Sequence, residues 1–120
     1  MAYDIGPRIG IEGEKEYRQQ IRQITAQQKT LTTEMRAVTS AFDQNDQSMQ
    51  SLTAQHQVLN KQVDVQKQKL AELQKGLTAA AQKYGENNKV TQGWQQAVNK
   101  ATAELNTLER ELQSSSNAIE

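Results

Sequence analysis

The chain has 120 residues, enough for one domain, yet only 35% are hydrophobic and 4% aromatic, with a mean hydropathy of −0.86; such material suits a rod better than a round core. Its 14 basic and 14 acidic residues cancel, leaving no net field to hold a polyphosphate backbone or an anionic membrane, so nucleic acid is not expected as a primary ligand. No run approaches the roughly 18 apolar residues of a spanning helix, no signal segment opens the chain, and the absence of Cys excludes disulfides and thiolate sites; a soluble, cytosolic chain without membrane contact is the expectation.

Residues 1–13 hold the only Pro, Pro7, and three of the six Gly, with Ile5, Ile9 and Ile11 interleaved. This composition predicts an extended arm rather than helix, without a partner strand in the chain. Helix is expected from residue 14, where Glu14 and Glu16 suit the positive end of the helix dipole. Tyr17, Ile21, Ile24, Gln28, Leu31, Met35, Val38 and Phe42 then recur at alternating spacings of three and four, predicting a helix over 14–43. The polar residues 43–48 favour turns and caps, and a break is expected there.

The longest seam follows: Met49, Leu52, His56, Leu59, Val63, Gln66, Leu70, Leu73, Leu77, Ala80 and Tyr84, predicting a helix over 47–84. Only Gly76 interrupts it, and the stripe looks too narrow to be buried on more than one side. Gly85 suits a left-handed residue after a helix, and Asn87 or Asn88 can cap the next. Trp94, Val98, Ala101, Leu105, Leu108 and Leu112 continue the spacing, predicting a helix over 89–113 or beyond, fading into three serines.

The expected fold class is therefore all α, with residues 14–120 forming elongated coiled-coil helices. Two arrangements compete. Counting in sevens carries the seam through both breaks, so a continuous parallel coiled coil of several chains, about 150 Å long, is one. The other folds back at the polar breaks into an antiparallel hairpin or three-helix bundle. A parallel oligomer sets Glu104 against Glu109 of a neighbouring chain, whereas reversal at residues 85–88 sets Lys69 opposite Glu104 and Lys67 near Glu109. The folded-back form is favoured.

Few residues tempt a chemical reading. His56 has no second His and no Cys to share a metal, and reads as a polar residue that sets helix register. Gln28 and Gln66 read the same way. Trp94 is expected to pack on Ala80 and the end of the second helix. Lys67, Lys69 and Lys75 are balanced by Asp64 and Glu72. With no phosphate loop, nucleophile elbow or buried carboxylate pair, no catalytic residue, cofactor or metal site is expected, and the chain does not read as an enzyme.

Several linked segments, in order, resemble a known family. Residues 8–17 (RIGIEGEKEY), 40–46 (SAFDQND) and 84–89 (YGENNK), followed by Trp94, are similar to the N-terminal region of tail tape measure proteins of long-tailed phages and prophages of Gram-positive bacteria. The resemblance implies an extended helical polymer in the lumen of the virion tail, assembled in the bacterial host cytoplasm, whose length sets tail length. It also implies a tail-tube protein and tail-assembly chaperones as partners, and leaves self-association open. Members of that family usually run to many hundreds of residues, so this chain is expected to be an N-terminal fragment. A cellular spacer or tether of spectrin-like architecture is the alternative.

Overall fold

The computed structural model describes residues 13–42 and 48–119. All of the expected arm at 1–13 except Gly13, and most of the expected break at 43–48, lie outside them. Three helices account for nearly all of the described chain: α1 (Glu14–Ser40), α2 (Met49–Tyr84) and α3 (Lys89–Ile119). The protein is all α, and among the described residues there is no strand.

Each helix end has a local cause. Glu14 and Glu16 occupy the first turn of α1, next to the positive end of its dipole. Ser48 caps α2, its side chain accepting from the Ser51 N–H at 3.2 Å. The Asn88 side chain accepts from the Val90 N–H at 2.8 Å and starts α3, the N-cap geometry that leaves one fewer orphan donor. Between α2 and α3, Gly85 has φ 85° and ψ 161°. This is not the left-handed helical conformation expected from the sequence but an extended one with positive φ, a region essentially reserved for glycine. Within the helices, threonine hydroxyls bond back one turn, as Thr25 to the Ile21 carbonyl and Thr102 to that of Val98, both at 2.8 Å.

The chain folds back twice. Cross-helix contacts pair Glu34 with Lys61 and Gln28 with Gln66, then Gly76 with Trp94 and His56 with Ser115. One member of each pair rises in number as the other falls, so both connections make antiparallel neighbours. The continuous coiled coil is not the form this chain adopts. The particle measures 61 × 24 × 17 Å, and its long dimension is close to the roughly 54 Å of the 36-residue α2.

α2 is the central helix, with α1 and α3 packed against it. No Cα of α1 comes within 8 Å of a Cα of α3 among the described residues. The expectation that α2 buries one side only is therefore corrected: it buries Ser51, Val58, Val63, Gln66, Leu73, Gly76 and Ala80. Hydropathy missed the second contact because several of these residues are small or polar. They admit a neighbour by giving it room.

The register of the α2–α3 hairpin is fixed by one close fit. A Cβ on Gly76 would overlap the six-membered ring of Trp94, so the glycine that looked like an interruption is the seat of the ring. Leu73, Ala80, Val98 and Ala101 complete this buried cluster, and Tyr17, Ile21, Leu70, Leu77 and Tyr84 pack around it. The Trp94–Ala80 neighbourhood thus appears as expected, with Gly76 as the unforeseen partner. The fit also shifts the hairpin by nearly one turn from the charge-based expectation. Glu104 is reached by Gln66, not by Lys69, and among the described residues neither Lys69–Glu104 nor Lys67–Glu109 forms an ion pair.

Candidate functional site

The most elaborate side-chain constellation lies at mid-length and joins all three helices. Gln66 is only 1% exposed. Its amide nitrogen donates to the Ala101 carbonyl at 2.9 Å and to a Glu104 carboxylate oxygen at 3.3 Å, both on α3. Its amide oxygen accepts from Gln28 on α1. Gln28 in turn accepts from the Lys69 ammonium at 3.2 Å. An amide has two donor hydrogens and one carbonyl oxygen, so Gln66 can serve α1 and α3 at once. A misregistered pairing would bury that amide unsatisfied at a cost of about 1–3 kcal/mol. This is what a register-setting residue does, and Gln28 and Gln66 stand where the heptad spacing put them.

His56, the third polar position, is half-buried on α2, and its Nδ1 lies 3.1 Å from the Ser115 hydroxyl of α3. The serine run therefore does not end the helix. It continues to Ile119, with Ser115 and Ser116 half-buried. No group of three or more His, Cys, Asp or Glu side chains could hold a metal ion among the described residues.

The seam positions divide by depth. Ile24, Leu31, Val63, Leu73, Trp94 and Val98 are buried. Tyr17, Ile21, Met35, Val38, Phe42, Leu52, Leu59, Leu70, Leu77, Tyr84, Leu105, Leu108 and Leu112 are half-buried. Met49 is a correction: it is 55% exposed, while Ser51, two residues on, is 1% exposed. The first turn of α2 turns a small hydroxyl inward, where Ser51 also accepts from the Gln55 amide at 3.1 Å. Val58 and Gly76 are buried positions that the seam did not contain. Pairing residues symmetrically about Gly85 would have brought Gly76 to Trp94; no comparable sequence signal marks Val58.

Two hollows lie in succession along the gap between α1 and α3, with α2 as their floor. One, about 490 Å³, is lined by Gln28, Leu31, Gln66, Lys69, Glu104 and Leu108 among others. The second, about 520 Å³, is lined by Arg18, Ile21, Arg22, Leu73, Lys89, Val90, Gly93, Trp94 and Ala97. The Arg18 guanidinium carbon stands 4.9 Å from the centre of the Trp94 ring, a cation–π distance. It also bonds Glu14 at 2.6 Å. The chemistry on offer is amides, cations, the Glu104 carboxylate, an indole ring and aliphatic walls.

No helix among the described residues is long and apolar enough to cross a membrane. Compared with protein-family models, curated proteins and solved structures, the chain matches none.

Proposed function

We propose that this chain is the N-terminal region of a tail tape measure protein, a structural element of a phage tail that helps set tail length and around which tail-tube subunits assemble. The observation that carries the reading is the ordered set of segments at residues 8–17, 40–46 and 84–89 with Trp94. The physical character of the chain is in keeping with it. A helix advances a fixed 1.5 Å per residue, and an exterior rich in Gln and Thr, with no net charge, would lie in a tube without binding it tightly. The reading places the chain in the tail lumen, with the tube protein and assembly chaperones as partners and no catalytic role.

The folded-back form then corresponds to the chain before assembly. Its length of 61 Å would open towards about 150 Å if the helices joined end to end inside the tube. The test is an in-frame deletion of two heptads within residues 49–84 of the full-length protein in the phage. Tails shorter by about 21 Å, 14 residues at the helical rise, are expected by electron microscopy; unchanged tails would refute the ruler role.

A spectrin-like cellular spacer is the second reading, favoured by one feature: α1 and α3 satisfy their seams on α2 within a single chain. Neighbouring genes separate the two. Tail-tube and tail-assembly chaperone genes accompany a tape measure and would not accompany a spacer.

A further inference from the structure

We infer that the groove between α1 and α3, at the end of the bundle nearest Gly85, is a docking site for an acidic amphipathic helix of a partner protein. α1 and α3 flank α2 without approaching each other within 8 Å between Cα atoms, and the Arg18 side chain reaches across to Trp94. Packed helices ordinarily lie 8–10 Å apart axis to axis and close such a gap. The two hollows in it run beside α3 from Lys89 to Leu108, about 28 Å at the helical rise, the length of five helical turns.

The lining defines the occupant. The floor and walls are apolar at Ile21, Leu73, Val90 and Ala97, and Val90 is 42% exposed, one of only two large apolar side chains so exposed among the described residues. Space is open beside Gly93, where an added Cβ would meet no atom within 4 Å. The rim of the hollow nearest Gly85 is cationic, while the hollow beyond it carries one charge of each sign, Lys69 and Glu104. Arg22 and Lys89 line the groove, and neither has a carboxylate within 4 Å among the described residues. Arg18 is already bonded to Glu14, and Glu86 stands in the turn before α3, outside this lining. The Trp94 Nε1–H, buried, has no acceptor among the described residues. Leucines that enter this groove with carboxylates beside them meet both the apolar floor and the unpaired cations, whereas a basic helix meets like charge.

Trp94 is the only tryptophan and forms part of the wall, so it reports occupancy directly. The probe is a labelled 21-residue helical peptide of three heptads, with leucine at the two seam positions and glutamate flanking them, against the same peptide with lysine flanking. Titration into the intact chain at low salt reads peptide anisotropy and Trp94 emission together. The expected result is that the glutamate peptide binds with a shift in Trp94 emission, the lysine peptide does not, and R22E/K89E weakens binding roughly tenfold or more. K67E/K100E, exposed positions outside this lining, leaves binding within about twofold, the effect of rim charges being mostly local at moderate salt. R22Q/K89Q gives an intermediate loss and serves if the charge reversal disturbs the fold seen by circular dichroism. Absence of glutamate-peptide binding, equal binding of the lysine peptide, or indifference to Arg22 and Lys89 would each overturn the inference. So would sedimentation showing, without peptide, a dimer that R22E/K89E returns to monomer, because the groove would then belong to a second copy.

Discussion

The two helix pairs of this bundle are held by different physics. Where α2 meets α3, a Trp ring sits against a glycine and is enclosed by Leu73, Ala80, Val98 and Ala101. Where α1 meets α2, α1 contributes only Ile24 and Leu31 as fully buried residues, with Tyr17 and Ile21 half-buried against the edge of the Trp94 cluster, and polar ties add to them: Gln28 with Gln66 and Lys69, and Lys61 with Glu34 at 3.5 Å. The last pair is exposed, and such pairs contribute about 0–1 kcal/mol. Apolar contact excludes water and scales with area, whereas an exposed ion pair merely exchanges one polar partner for another. The difference predicts that the hairpin is the more stable unit and that α1 is the helix that leaves it first.

The largest expected effect comes from removing the ring that holds the hairpin. Trp94→Ala should destabilise the chain by about 3–5 kcal/mol, read as a fall in the urea midpoint followed by circular dichroism. A loss below about 1 kcal/mol would mean that the α2–α3 interface is no tighter than the other. Next comes a cut in the weaker pair. Leu31→Ala should cost about 2–3 kcal/mol, the low end for a buried leucine because the hollow beside it is open. Hydrogen exchange should show the faster amides confined to α1, with α2 and α3 nearly unchanged. Equal acceleration in all three helices would show a single cooperative unit and dissolve the distinction.

A subtler test separates packing from helix propensity at the Trp94 seat. Gly76→Ala gains about 1 kcal/mol of propensity but forces a methyl into the ring, an overpacking cost of about 1–3 kcal/mol, so a net loss of up to about 2 kcal/mol is expected. In the Trp94→Ala background the same change should turn stabilising, because the clash is gone and the propensity remains. A substitution effect of one sign in both backgrounds would show that the ring does not rest on Gly76.

The smallest effect lies at the surface. The Lys75 ammonium bonds the Glu72 carboxylate at 2.9 Å, and this bond, with the attraction of the charge, raises its pKa above the ordinary 10.5. A raised pKa stabilises the fold below 10.5 and loses that contribution as pH rises through the folded value. Glu72→Gln should bring the Lys75 titration midpoint, followed by NMR, down towards 10.5 while leaving the neutral-pH melt almost unmoved. A large shift in the melt would assign this surface pair a role that solvent screening argues against.

Spacing along the chain carried much of this structure. Alternation of three and four from Tyr17 to Leu112 identified three helices, Gly85 and Asn88 marked the turn, and Gln28, His56 and Gln66 were visible as polar residues on an apolar seam. That much follows from the helix itself, whose 3.6-residue repeat decides which side chains share a face whatever lies opposite. What lies opposite is a different kind of information. That α2 is buried on two sides, that Gly76 receives Trp94, that Gln66 rather than Lys69 meets Glu104, and that Ser51 turns inward in place of Met49 depend on the shapes of side chains brought together from distant parts of the chain. Close packing is resolved at the scale of a single methyl group, which hydropathy does not record, so the helices were determined by the sequence pattern and their register and the groove between α1 and α3 by the tertiary fit.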